Sequence, residues 1–165
     1  MGNQELKQDM LSKNEIHAII SDETERDEVI RLLGRELAAF GMVDDTYGEL
    51  ALERERQYPT GVPTEPMAVA IPHSERSQVY KTGIGVAVLK NSAKFASMDD
   101  ADRLLDVKVV FMLAVSSDDG HLEMIQDIME IIQDSQVVDA ILTSASTDHI
   151  ERIMHRELSA RECKR

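Results

Sequence analysis

Val107-Lys108-Val109-Val110-Phe111-Met112-Leu113-Ala114-Val115 is nearly continuous in Val, Phe, Met and Leu, and such a run is expected of the central strand of a covered sheet. Met67 to Ile71 is apolar on both faces in the same way, Ile84 to Leu89 repeats the pattern, and Ile16 to Ile20 supplies a short first strand. Helical spacing fills the intervals. Ser21 to Gly41 predicts a helix with Thr24 as N-cap, acidic residues in its first turn, Val29, Leu33, Leu37 and Phe40 along one stripe, and Gly41 as its stop. A second helix is expected from about Asp45 to Arg56, with Tyr47, Leu50 and Ala51 on its apolar stripe. Arg54 follows one turn along that face and so points with the core-facing residues, whereas Arg56 lies elsewhere around the helix. Leu122 to Ile132 has a wide apolar face whose methionines and isoleucines belong to the core. Val137 to Leu142 and Asp148 to Met154 are two further short helices, with Thr147 as a cap. Strands mixed with helices over a largely buried sheet give an α/β chain, a three-layer α/β/α sandwich.

Composition narrows what such a chain can do. Its 165 residues, 42% of them hydrophobic, are enough for one sizeable core and short for two, so residues 1–165 are expected to form a single domain. Its core runs from about residue 11 to 154, and residues 155–165 read as a polar tail. No run approaches the roughly 18 apolar residues that span a bilayer, and Met1 to Met10 lacks the pattern of a signal peptide; a cytoplasmic protein is expected, without direct membrane insertion. Eighteen basic against thirty-one acidic residues give a formal net charge of −13, which argues against nucleic acid; such a balance usually means a soluble surface, and a basic protein partner is the more specific alternative. The lone cysteine, Cys163, cannot form an internal disulfide and is expected to be an exposed spectator.

Chemistry is expected where the strand Met67-Ala68-Val69-Ala70-Ile71 meets Pro72-His73-Ser74. Pro72 cannot donate a ladder hydrogen bond, so the strand stops there and His73 is displayed at the sheet edge. A neutral imidazole has one lone pair able to attack a phosphoryl group near neutral pH, and the phosphoramidate formed is labile enough to pass on. Upstream lies Arg54-Glu55-Arg56-Gln57-Tyr58-Pro59-Thr60-Gly61-Val62-Pro63; downstream, the Val107 strand is followed by Ser116-Ser117-Asp118-Asp119-Gly120-His121-Leu122. A guanidinium can neutralise phosphoryl oxygens, which makes Arg54 the candidate stabiliser. His121, at the start of the Leu122 helix, is the candidate supporting residue, since helix N-termini favour anions.

Taken together, an arginine, Pro-Thr-Gly, Ala-Ile-Pro-His and a strand-loop-helix opening on His-Leu resemble the EIIA domain of the fructose/mannitol/galactitol class of bacterial sugar phosphotransferase systems. The resemblance covers about Leu11 to Met154. It implies a mixed, mostly parallel sheet of about five strands. It also implies that His73 accepts phosphate from phospho-HPr, with Arg54 and His121 beside it, and passes the group to a cysteine of a cognate EIIB that serves a membrane EIIC. The family needs no metal and no cofactor for this. Pro-Thr-Gly followed by a long loop and Ala-Ile-Pro-His-Ser74 looks closest to the galactitol-like branch. That branch often carries glutamine where this chain has His121, as the mannitol and fructose types do, which leaves the sugar open. A regulatory phosphorylation module using the same His73 and a non-catalytic binding domain remain as alternatives.

The other histidines read as structural. His17 sits beside apolar residues in a predicted strand, while His149 and His155 fall six apart, a spacing that does not put two metal ligands on one helix face. Asp99, Asp100 and Asp102 form a charged turn; Asp106 is ambiguous.

Overall fold

Val109, Phe111 and Leu113 point into one layer of helices and Val110, Met112 and Ala114 into the other, so the central strand is buried on both faces as its composition requires. The computed structural model describes residues 15–116 and 118–163, with the backbone alone at 118–121. Along the chain the elements are β1 (Glu15–Ser21), α1 (Arg26–Ala39), α2 (Tyr47–Gln57), β2 (Gly61–Val62), β3 (Ala68–Ala70), a 3-10 turn (Arg76–Gln78), β4 (Gly83–Ala96), β5 (Leu104–Ala114), α3 (Asp118–Gln133), α4 (Ser135–Leu142) and α5 (Thr147–Glu162). The sheet order is β1-β4-β5-β3-β2. Helices α1 and α2 cover one face through Val29, Leu33, Leu37, Ala51 and Leu52; α3, α4 and α5 cover the other through Ile128, Ile131, Val138, Ile150 and Leu158.

The sheet is mixed, and its pairings divide evenly where a mostly parallel sheet is expected. β1 with β4 and β3 with β5 are parallel; β4 with β5 and β2 with β3 are antiparallel. The cause is local. The turn between β4 and β5 is too short for a parallel crossover, so the two longest strands pair as a hairpin. β4 also runs well past Leu89, through polar residues that an apolar pattern does not reveal. Lys94 faces solvent there and pairs at 2.6 Å with Asp106 directly opposite, which settles Asp106 as a surface cross-strand partner.

Several boundaries shift for physical reasons. α1 begins at Arg26, and the residue in the N-cap position is Glu25, not Thr24, with no side-chain cap bond. Gly41, at φ 71°, does end that helix region. α5 is capped by Ser146, whose side chain accepts from the His149 amide at 3.2 Å; Thr147 is already helical. Residues 155–162, expected in a polar tail, continue α5, because Leu158 is buried in the core and Arg161 pairs with Glu130 and Glu157. His17 is structural as expected: it stacks on Phe40 at 3.8 Å between ring centroids and bonds Glu15 at 3.1 Å. Cys163 is exposed.

The packing of α2 on α1 sets the rotation of α2 about its own axis. A Cβ on Gly34 would lie 2.5 Å from the Gly48 Cα, so the helices approach at backbone contact and only glycine fits at the crossing. Gly34→Ala must push α2 away from α1. It is expected to cost about 1–3 kcal/mol in denaturant unfolding, the usual range for overpacking; an unchanged midpoint would show that the crossing gives way freely.

Candidate functional site

β3 ends at Ala70, short of the expected Ile71, because the Ile71 amide turns to Thr60; Pro72 has no donor to offer, yet the chain meets the sheet again at Pro72 and His73. Leu113 donates its amide to the Pro72 carbonyl at 3.1 Å, and His73 forms an isolated parallel bridge with Leu113. His73 is therefore half-buried beyond the end of β3, held against Leu113 at the end of the central strand. Its Nδ1 lies 2.9 Å from the Ile71 carbonyl oxygen. A carbonyl only accepts, so Nδ1 carries the proton, and in that tautomer the ring lone pair belongs to Nε2.

Two buried side chains from α2 secure this corner. Tyr47, in the first turn, is fully buried; its hydroxyl donates to the Leu113 carbonyl and accepts the Ser74 amide at 3.0 Å. One phenol thus joins the end of β5 to the residue after His73. Burial pushes that hydroxyl up to about 12, partly offset by the Ser74 bond and the Arg54 charge, so it remains a neutral donor. Two turns on, Glu55 is only 2% exposed. Its carboxylate accepts the Thr60 amide at 2.9 Å and the Thr60 hydroxyl at 2.7 Å. The Thr60 hydroxyl in turn accepts the Ile71 amide at 3.1 Å. Burial raises the Glu55 carboxyl above the usual range, while the Thr60 bonds and the Arg26 charge pull it back.

Arg54 does not point with the core. The buried stripe of α2 is Tyr47, Gly48, Ala51, Leu52 and Glu55, turned by the Gly34–Gly48 contact so that Leu50 is half-buried and Arg54 exposed. Its guanidinium carbon lies 5.4 Å from the centre of the Tyr58 ring, and the side chain shares a groove with Gln57, Tyr58, Ser74 and Glu75. The groove brings Arg54 to the residue adjoining His73. α3 begins at Asp118, earlier than expected, which puts His121 inside its first turn; the His121 side chain lies outside the described residues.

Tyr47 and Glu55 belong to this candidate site by geometry, and the sequence pattern does not single them out. Tyr47 reads there as an apolar-stripe residue, and Glu55 only as the neighbour of Arg54. Their eight-residue separation puts both on one helix face, but that spacing alone does not tell a buried carboxylate from a solvated one. Among the described residues no group of His, Cys, Asp and Glu could hold a metal ion, and no helix is long and apolar enough to cross a membrane.

Residues 9–157 match the family described as phosphoenolpyruvate-dependent sugar phosphotransferase system, EIIA 2. The galactitol-specific EIIA component of Escherichia coli (strain K12) is 30% identical over 123 residues, 74% of this chain and 81% of that protein. The crystal structure of IIA mannitol from Escherichia coli superposes with a TM-score of 0.66 at 21% identity, covering 87% of this chain and 98% of that one. Enzyme IIA of the mannitol system, in its complex with phosphorylated enzyme IIB from Escherichia coli, gives 0.67 at 21% identity over 87% and 96%. A match that runs from before β1 into α5 covers all five strands and the helices on both faces. This chain is a member of the EIIA 2 family of the phosphoenolpyruvate-dependent sugar phosphotransferase system, in its fructose/mannitol/galactitol class.

Proposed function

We propose that His73 is the phosphoryl acceptor of this EIIA and that Nε2 is the reacting atom. The observation that carries the reading is the Nδ1 contact to Ile71, which puts the ring lone pair on Nε2 in a half-buried imidazole at a strand end. The Nε2 lone pair forms a P–N bond as the bond between phosphorus and its donor breaks; in the second step an acceptor thiolate takes the same phosphorus and the P–Nε2 bond breaks. We name phospho-HPr as donor and a cysteine of a cognate EIIB as acceptor, with a membrane EIIC downstream. The mannitol IIA whose fold this chain shares has been solved with phosphorylated IIB, which supports the acceptor side of that assignment. A net charge of −13 suits a basic donor. The galactitol-specific relative supports a galactitol-like polyol as the sugar served. A relay fed from phosphoenolpyruvate works in the cytoplasm, and that is where we place the protein.

Arg54 is the stabiliser in this reading. A guanidinium that must meet a phosphoryl group arriving on another protein has to stand at the surface, as this one does, and the Tyr58 ring limits its wandering. His121 supports from the first turn of α3, whose N-terminal amides favour an anion at the end of β5.

His73→Gln is expected to abolish uptake of labelled phosphate from phospho-HPr with little change in thermal melting; labelling of the variant at the native rate would remove His73 from the relay. Arg54→Lys keeps the charge but loses the planar fork, so transfer should fall on the order of 10²-fold. A change below about threefold would leave Arg54 only its contact with Tyr58. Donor and acceptor must use the same face of His73. HPr titrated into a preformed complex with EIIB is therefore expected to displace it by light scattering, and a stable ternary complex would contradict a shared site.

A further inference from the structure

We propose that Glu55 and Thr60 are positioning residues for the phosphoryl acceptor: the buried Glu55 carboxylate orients the Thr60 hydroxyl, that hydroxyl holds the Ile71 amide, and the Ile71 carbonyl keeps the proton of His73 on Nδ1. The inference rests on His73 being the acceptor. It assigns a purpose to a carboxylate that is 2% exposed and whose burial would otherwise be pure cost.

The hydrogen bonds run in one direction. A threonine hydroxyl has a single proton, and Thr60 spends it on Glu55 at 2.7 Å; its lone pairs must then serve as acceptor, and the Ile71 amide meets them at 3.1 Å. The second carboxylate oxygen takes the Thr60 amide at 2.9 Å, so the residue is held at backbone and side chain alike. Ile71 precedes Pro72, which restricts it to extended backbone, so its amide and carbonyl directions are coupled. Fixing the amide through Thr60 aims the carbonyl, and the carbonyl sits 2.9 Å from Nδ1. With the hydroxyl bond lost, the Ile71 amide keeps only its 3.4 Å contact with the Thr60 carbonyl, the aim of the Ile71 carbonyl loosens, and the ring lone pair is shared between Nε2 and Nδ1. A role limited to bracing the loop would need the Thr60 amide bond alone. The longer backbone contact of the Ile71 amide with the Thr60 carbonyl does not involve Glu55; the shorter hydroxyl bond is what joins the carboxylate to the reacting ring.

The test uses the full-length, unphosphorylated protein with 15N-labelled histidine, above the imidazole titration. Native His73 is expected to show a protonated Nδ1 and an unprotonated Nε2. Thr60→Val keeps the shape and deletes the hydroxyl. It is expected to shift His73 toward mixed tautomers and to slow transfer from phospho-HPr on the order of tenfold per folded molecule, as when an outer partner of a reacting imidazole is lost. Thr60→Ser should restore both readings, and Glu55→Gln should move the tautomer in the same direction because its carboxamide cannot accept at both positions. Thr60→Val with native tautomer and native rate would overturn the inference whatever happens to its melting temperature. So would native protein carrying the proton on Nε2, a result that needs no variant to fold. Failure of the relay itself looks different: native His73 would take no label, while the tautomer would still answer to Thr60.

Discussion

A sheet whose central strand is apolar on both faces must be covered on both, and that requirement governs where polar chemistry can go. β5 spends Val109, Phe111 and Leu113 on one helical layer and Val110, Met112 and Ala114 on the other. The positions left for a reacting group are the strand ends. At the carboxyl ends of β3 and β5 the chain leaves the sheet together, tied by the Leu113 amide to the Pro72 carbonyl, and His73 stands at that junction. Ligand sites at the carboxyl ends of parallel strands follow from the same geometry in open α/β sheets generally.

α2 shapes that junction as a candidate site by dividing its faces. Its buried side carries Tyr47 and Glu55, which hold the residues on either side of His73: Tyr47 takes the Ser74 amide, and Glu55 reaches Ile71 through Thr60. Its exposed side carries Arg54 beside Tyr58, open to whatever docks in the groove. Which residue lands on which side is decided by the backbone contact of Gly48 with Gly34, well away from His73 in the chain. A small rotation of α2 would disturb the buried clamps and the surface cation together.

The readable parts of the sequence were those in which one residue type has one physical use. Gly41 ending a helix region and the unbroken run of β5 behave in the fold as their chemistry dictates, and Pro72 stands just past the end of β3 at Ala70. Arg54 was legible as a residue of interest but not in its direction, because a stripe of Tyr47, Leu50 and Ala51 and a stripe of Tyr47, Ala51, Leu52 and Glu55 differ by a fraction of a turn. Only the helix crossing chooses between them. Glu55 stayed hidden because a carboxylate in a helix is almost always solvated, and nothing local announces a buried partner five residues on. The second half of β4 and the last turns of α5 were obscured for the opposite reason: they are polar elements held by neighbours, Lys94 by Asp106 and Arg161 by Glu130 and Glu157.

The central claim is atomic: the phosphoryl group resides on Nε2 of His73. Protein phosphorylated through phosphoenolpyruvate, enzyme I and HPr, with 15N-labelled histidine, can be read by 31P–15N coupling at alkaline pH, where a phosphoramidate survives. A single coupled nitrogen, assigned to Nε2 of His73, is the predicted result. Coupling to Nδ1, or to a histidine elsewhere in the chain, would contradict it.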